Sequence, residues 1–222
     1  MKNIERACRT CYRSEGSITN TSYQNLIKNC INRGHESVLE HEKITIRMIC
    51  DIGVYKDLTR HRFGSFSIES TRYCNYSKDK FNNNIKFIKP VFYDDSWSQA
   101  NYEGSAMTES QLKSSLWYNC MEEIESNYMH MADIGSTPDE LRMILPHSTA
   151  SEVTMTCNIR EWRHILELRC SKMAHPAIQQ ILIPLLLEFK QKMPELFTDI
   201  EYNKDFSSDK YAEIQYIKEE DI

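Results

Sequence analysis

The chain has 222 residues, 41% of them hydrophobic and 27% charged, with a formal net charge of −5. That length suits a single domain with a sizeable core, and the acidic balance argues against a general nucleic-acid binder, whose affinity rests on neutralising phosphates. No stretch approaches the roughly 18 consecutive apolar residues of a membrane span, and Met1-Lys2-Asn3-Ile4-Glu5-Arg6 lacks the apolar segment of a secretory signal; no membrane partner and a cytoplasmic location are expected.

Near the start, Cys8-Arg9-Thr10-Cys11 has the spacing of a redox pair or of half a zinc site. No second such pair follows and the histidines are scattered, so no metal is expected, because a structural zinc takes four ligands. The eight cysteines read as free thiols in a chain too large to need disulfides.

Thr21 to Arg33 reads as a helix with Leu26, Ile27, Cys30 and Ile31 on one face and Gly34 as its stop. Lys43 to Cys50 alternates, with Ile44, Ile46 and Met48 opposite Thr45 and Arg47, which predicts a half-buried strand. Val54 to Arg62 reads as helical, Phe63 to Tyr76 as a polar connection rich in Ser and Thr, and Ile85 to Phe92 as a strand ended by a turn at Asp94 and Asp95. A long helical pattern covers Thr108 to Ala132 and closes at Gly135. Thr137-Pro138-Asp139-Glu140 is a capping box with proline at the first helical position, so a short helix starts there and stops before Pro146.

Glu152 to Cys157 alternates as a strand, and Asn158-Ile159-Arg160-Glu161 opens a helix through Arg169. A further helix runs from Pro176 to about Lys192. From Thr198 the chain is polar and acidic, with no pattern that predicts an element. The order predicts an α+β single domain with a small, mostly antiparallel sheet covered by helices, one of them long. It also divides the chain into a domain over 1–197 and an acidic tail over 198–222.

Chemistry concentrates in Arg60-His61-Arg62-Phe63-Gly64-Ser65-Phe66-Ser67-Ile68-Glu69-Ser70-Thr71-Arg72-Tyr73. Guanidinium forks bind phosphates and carbonyl-bearing rings in bidentate fashion, which suits nucleotides. A solvated charge cluster ending a helix has the same composition, and composition alone leaves both open. The spacing is more specific: Arg60-His61-Arg62, seven residues, then Ser70 resembles the signature of flavin-dependent thymidylate synthases, and the likeness continues through Ser70-Thr71-Arg72-Tyr73. Arg6 to Cys11, Gly34 to His41, Arg142-Met143-Ile144-Leu145-Pro146, Asn158-Ile159-Arg160 and Leu168-Arg169 resemble further blocks of that family in order, over about Arg6 to Gln180.

The resemblance implies reductive methylation of dUMP to dTMP, with FAD as cofactor, NADPH or NADH as reductant and 5,10-methylenetetrahydrofolate as carbon donor. It also implies a homotetramer with sites at subunit interfaces, and small molecules rather than nucleic acid as partners. FAD would be held by Cys11, His35, Ser37, Arg60, His61, Arg62, Phe63, Asn158, Arg160 and His164. Asp57, Arg60, Ile68, Glu69, Ser70, Thr71, Arg72, Arg142 and Arg169 would bind dUMP, Arg142 from another subunit. Arg169 would be catalytic, stabilising the uracil anion as N3 loses its proton. A buried ion pair, or a cation completing a helix C-terminus, would also account for Arg169.

Two positions depart from the pattern. Ile68 stands where the family usually has Glu or Gln, and Cys11 where serine is common. The alternatives are a non-enzymatic nucleotide- or RNA-binding module using the Arg60–Arg72 segment, a thiol or zinc protein built on Cys8 and Cys11, and a flavoenzyme acting on another pyrimidine.

Overall fold

The computed structural model describes residues 1–93 and 107–216. In chain order its elements are α1 (Lys2–Thr10), α2 (Ser22–Asn32), β1 (Lys43–Asp51), α3 (Ile52–Leu58), β2 (Gly64–Ile68), α4 (Glu109–Asp133), α5 (Pro138–Leu141), β3 (Ala150–Asn158), α6 (Ile159–Arg169), α7 (Pro176–Lys192) and α8 (Pro194–Phe197). The class is α+β, with a three-stranded antiparallel sheet ordered β1-β3-β2. Among the described residues no helix is long and apolar enough to cross a membrane.

Most helix ends follow from local chemistry. Thr108 and Gln111 close a reciprocal capping box at the start of α4, and Thr137 and Glu140 do the same at α5, satisfying amides that the first helical turn leaves unpaired. Asn158 Oδ1 accepts from the Glu161 amide at 2.8 Å and opens α6. The His175 side chain caps α7, with Pro176 at the first helical position. Gly34 follows α2 at φ 70°, a left-handed conformation that only glycine adopts freely.

In β1 the expected alternation holds: Met48 and Cys50 are buried while Thr45, Arg47 and Ile49 are exposed. The Thr45 and Thr156 hydroxyls share a hydrogen bond at 2.8 Å, and Arg47 Nη2 pairs with Glu152 Oε2 at 2.5 Å.

Three expectations are corrected. The helix expected over Val54–Arg62 spans Ile52–Leu58 and ends in a turn, where the His61 amide donates to the Leu58 carbonyl at 3.0 Å. Within the expected connection Phe63–Tyr76, Gly64–Ile68 is a strand, β2, because β3 offers it a hydrogen-bonding edge. Among the described residues, the strand expected over Ile85–Phe92 reduces to one antiparallel bridge, Phe87 to Thr149. The turn expected at Asp94 and Asp95 lies outside the described residues.

Two compact units divide the chain. The first comprises Met1–Ile46, Leu58–Phe66 and Thr154–Ile222, and the second Arg47–Asp57 and Ser67–Val153. In the first, Trp162 is wholly buried and its Nε1 donates to the Ile44 carbonyl at 3.0 Å. Phe189 packs edge-on to Trp162 and against Phe197, which joins α6, α7 and α8. Where α1 meets α2, Cys8 Sγ lies 3.2 Å from Cys30 Sγ, so Cys8 faces Cys30 rather than Cys11. Residues after Thr198 dock on this unit: Ile200 is buried, and the Asn203 amide donates to the Cys170 carbonyl at 2.8 Å. The core of the second unit gathers Tyr76, Ile85, Tyr128 and Leu141.

Candidate functional site

The site is set out by α6. Its apolar stripe of Trp162, Ile165 and Leu166 is buried, which turns Arg160 and His164, one helical turn apart, toward an open face. The turn after α3 carries Arg60 to Phe63 to the same place. Together with Glu36, Glu40, Asn158, Glu161, Arg163 and Glu167, these residues line a cavity of about 680 Å³. All of them belong to the first unit.

Charges inside the cavity are paired in defined ways. Arg160 Nη1 donates to Glu40 Oε1 at 2.7 Å, and its Nε lies 3.4 Å from Glu36 Oε2. Neither glutamate was singled out by the sequence; both follow His35 on a 3-10 turn over Glu36–His41. Arg163 is buried, and its two Nη atoms hold the carboxylate of Asp199. Its Nε is buried without an acceptor among the described residues.

His61 is the buried member of the signature, while Arg60 and Arg62 are exposed and Phe63 presents an 81% exposed ring. Its Nε2 accepts from Arg169 Nε at 3.1 Å, and its Nδ1 lies 3.5 Å from Glu161 Oε1. Burial pushes the Glu161 carboxyl above its ordinary range, and the nearby His164 opposes that shift. The His164 ring meets His61 edge-on, with 5.9 Å between centroids. Arg169, the last residue of α6, is thus tied to the signature by its Nε–His61 contact, at the helix end where a cation is favoured.

The remaining candidates stand elsewhere. His35, Ser37 and Cys11 are exposed in the first unit and do not line the cavity; the Cys11 thiol donates to the Ala7 carbonyl at 3.5 Å. Asp57, Ile68, Glu69, Ser70, Thr71, Arg72 and Arg142 belong to the second unit. There β2 ends at Ile68 and the chain turns, the Tyr73 and Cys74 amides both donating to the Ser70 carbonyl. Tyr76 donates to Glu69 Oε1 at 3.0 Å, and Arg72 Nε donates to Asp139 Oδ1 at 2.8 Å. Arg142 is exposed where α5 passes into a 3-10 turn. Burial raises the phenol of Tyr55, and the charge of Arg142 opposes it.

The site can hold an anionic, planar ligand: guanidinium groups supply forks for phosphate and ring carbonyls, and Phe63 offers an apolar face. Comparison with known proteins agrees. The family described as thymidylate synthase complementing protein matches residues 1–195. A flavin-dependent thymidylate synthase of Thermosipho melanesiensis is 30% identical over 192 residues, covering 86% of this chain and 82% of that protein. A probable flavin-dependent thymidylate synthase of Mycobacterium phage D29 is 28% identical over 203 residues, covering 88% and 81%. One from Geobacter sulfurreducens is 24% identical over 204 residues, covering 88% and 80%. With nearly the whole chain matched, it belongs to the thymidylate synthase complementing protein family, that of the flavin-dependent thymidylate synthases.

Proposed function

We propose that the protein is a methyltransferase that converts dUMP to dTMP with FAD as its bound cofactor. 5,10-methylenetetrahydrofolate would be the carbon donor and NADPH or NADH the reductant. We further propose that it works in the cytoplasm as a homotetramer whose sites draw on more than one subunit. One observation carries the reading: the Arg60–Phe63 signature and the Asn158–His164 stretch of α6 line a single cavity, with Arg169 bonded to the signature histidine.

The residues fit a flavin nucleotide. Arg60, Arg62 and Arg160 supply cationic forks, Asn158 and His164 supply polar edges, and Phe63 supplies an aromatic face. The buried Arg163 Nε, lacking an acceptor among the described residues, is a further donor at the wall. Cys11, His35 and Ser37 would complete the contacts to FAD. When bound, FAD supplies the hydride that completes the new methyl group.

The chain's own work is binding and charge control. Ser70, Arg72 and the backbone around Glu69 and Thr71 would hold the phosphate of dUMP, with Arg60, Asp57, Ile68 and Arg142 at its remaining edges. Arg72 must then exchange Asp139 for the phosphate. Arg169 would stabilise the anion left as uracil N3 loses its proton, raising electron density at C5 without a covalent enzyme adduct. The thiols agree with that: burial pushes those of Cys50, Cys157 and Cys170 up to about 12, so at neutral pH they are protonated and poor nucleophiles. The chain's net charge of −5 disfavours a nucleic-acid track, whose affinity rests on neutralising many phosphates.

The test is a visible absorption spectrum of purified protein given FAD, freed of excess, then given dUMP. A stoichiometric flavin spectrum that shifts with dUMP, followed by dTMP formation with the folate and reduced nicotinamide, is expected. A colourless protein that retains no FAD overturns the reading.

A further inference from the structure

A guanidinium donates hydrogen bonds and never accepts them. His61 Nε2, 3.1 Å from Arg169 Nε, therefore presents its lone pair, and the imidazole is neutral with its proton on Nδ1. That nitrogen faces Glu161 Oε1 at 3.5 Å, with both side chains largely withdrawn from solvent (6% and 11% exposed). The separation is long for a hydrogen bond, so the carboxyl acts mainly through its field. One helix supplies both ends of the arrangement: Glu161 lies in the first turn of α6 and Arg169 is its last residue, about 12 Å of helix rise apart. The Asn158 cap, bonded to the Glu161 amide at 2.8 Å, fixes the first turn from which the carboxylate projects. Which ring nitrogen of a histidine carries the proton is decided by the partner of the other nitrogen.

We propose that Glu161 is a positioning residue for Arg169: it holds His61 in the Nδ1–H form, leaving Nε2 to accept from Arg169 and aim the guanidinium at the pyrimidine of the reaction proposed above. Glu161 acts on Arg169 through His61. The inference rests on the enzymatic reading for its purpose, and on the geometry alone for the tautomer.

The first measurement is a long-range proton–nitrogen NMR spectrum of ligand-free protein labelled at histidine, with His61 assigned by its loss in His61→Gln. Expected are a protonated Nδ1 and an unprotonated Nε2 in the wild type. Glu161→Gln and Glu161→Ala both remove the carboxylate's field and move the proton to Nε2. The second measurement is dUMP titration of the FAD-loaded proteins, read by flavin absorbance. Glu161→Ala weakens dUMP binding about tenfold, the loss of the Arg169–His61 hydrogen bond to a charged group, with FAD retained, and Glu161→Gln does the same. A wild-type His61 protonated at Nε2 overturns the proposal without recourse to any variant, and so does a Glu161→Ala protein that keeps the Nδ1–H form. Wild-type protein that takes up neither FAD nor dUMP fails the enzymatic reading instead, and the tautomer comparison still decides whether Glu161 sets the state of His61.

Discussion

Arg163 and Asp199 are joined by two parallel hydrogen bonds, Nη1 to Oδ1 at 2.8 Å and Nη2 to Oδ2 at 2.6 Å. The guanidinium is buried and also donates to the Leu196 carbonyl, so this pair fastens the chain beyond α8 to α6. Replacing Asp199 with alanine removes the nearer counter-charge of a buried cation and leaves only Glu167 at 3.8 Å among the described carboxylates, so a loss of about 1–3 kcal/mol is expected. Thermal unfolding checks it, as a fall of about 2–4 °C per kcal/mol for a chain of this size.

The same pair predicts an acid-side effect. Hydrogen bonding from Arg163 holds the Asp199 carboxyl below its ordinary value of 3.8. A depressed folded value means the stabilisation is complete above pH 3.8 and is lost as pH falls below it, through the lower folded value. Melting temperatures of wild type and Asp199→Asn compared down that acid limb should converge; curves that stay parallel count against the pair.

Arg72 and Asp139 form an ion pair more than half exposed on both sides, of the kind worth about 0–1 kcal/mol. If Arg72 binds the dUMP phosphate, Asp139 competes with it. Asp139→Asn should therefore tighten dUMP about two- to fivefold, read as a lower midpoint in the flavin titration. An unchanged or weaker affinity would place the phosphate elsewhere.

A Cβ at Gly64 would stand 2.7 Å from Cys157 Sγ, closer than real contacts allow. Gly64→Ala should cost about 1–3 kcal/mol through overpacking where β2 meets β3. In a Cys157→Ala background the cost should shrink, and a double-mutant cycle of urea midpoints measures the coupling. Strict additivity would assign the clash to another group.

No cysteine is assigned a covalent role. Cys74→Ala and Cys170→Ala should both keep measurable dTMP formation, though the second loses stability because Cys170 is fully buried. Complete loss of turnover with FAD still bound would refute this.

Features encoded by a few neighbouring residues were legible in the sequence alone. Thr137 with Glu140, Asn158 with Glu161, and Gly34 at its positive φ place helix ends within about one turn, because a cap bonds amides within three residues of itself. The alternation in β1 and β3 and the Arg60–Ser70 spacing belong with them, as does the sharing of one helix face by Arg160 and His164. Pairing and burial were decided by tertiary structure. Gly64–Ile68 is a strand and Ile85–Phe92 only a bridge because hydrogen-bond partners come from distant segments, which no local pattern specifies. No local pattern assigns a charge partner to Glu36, Glu40 or Glu161; folding brings the first two to Arg160 and the third to His61. A buried charge is unfavourable until its partner is supplied, and the partner of Glu161 lies a hundred residues earlier in the chain.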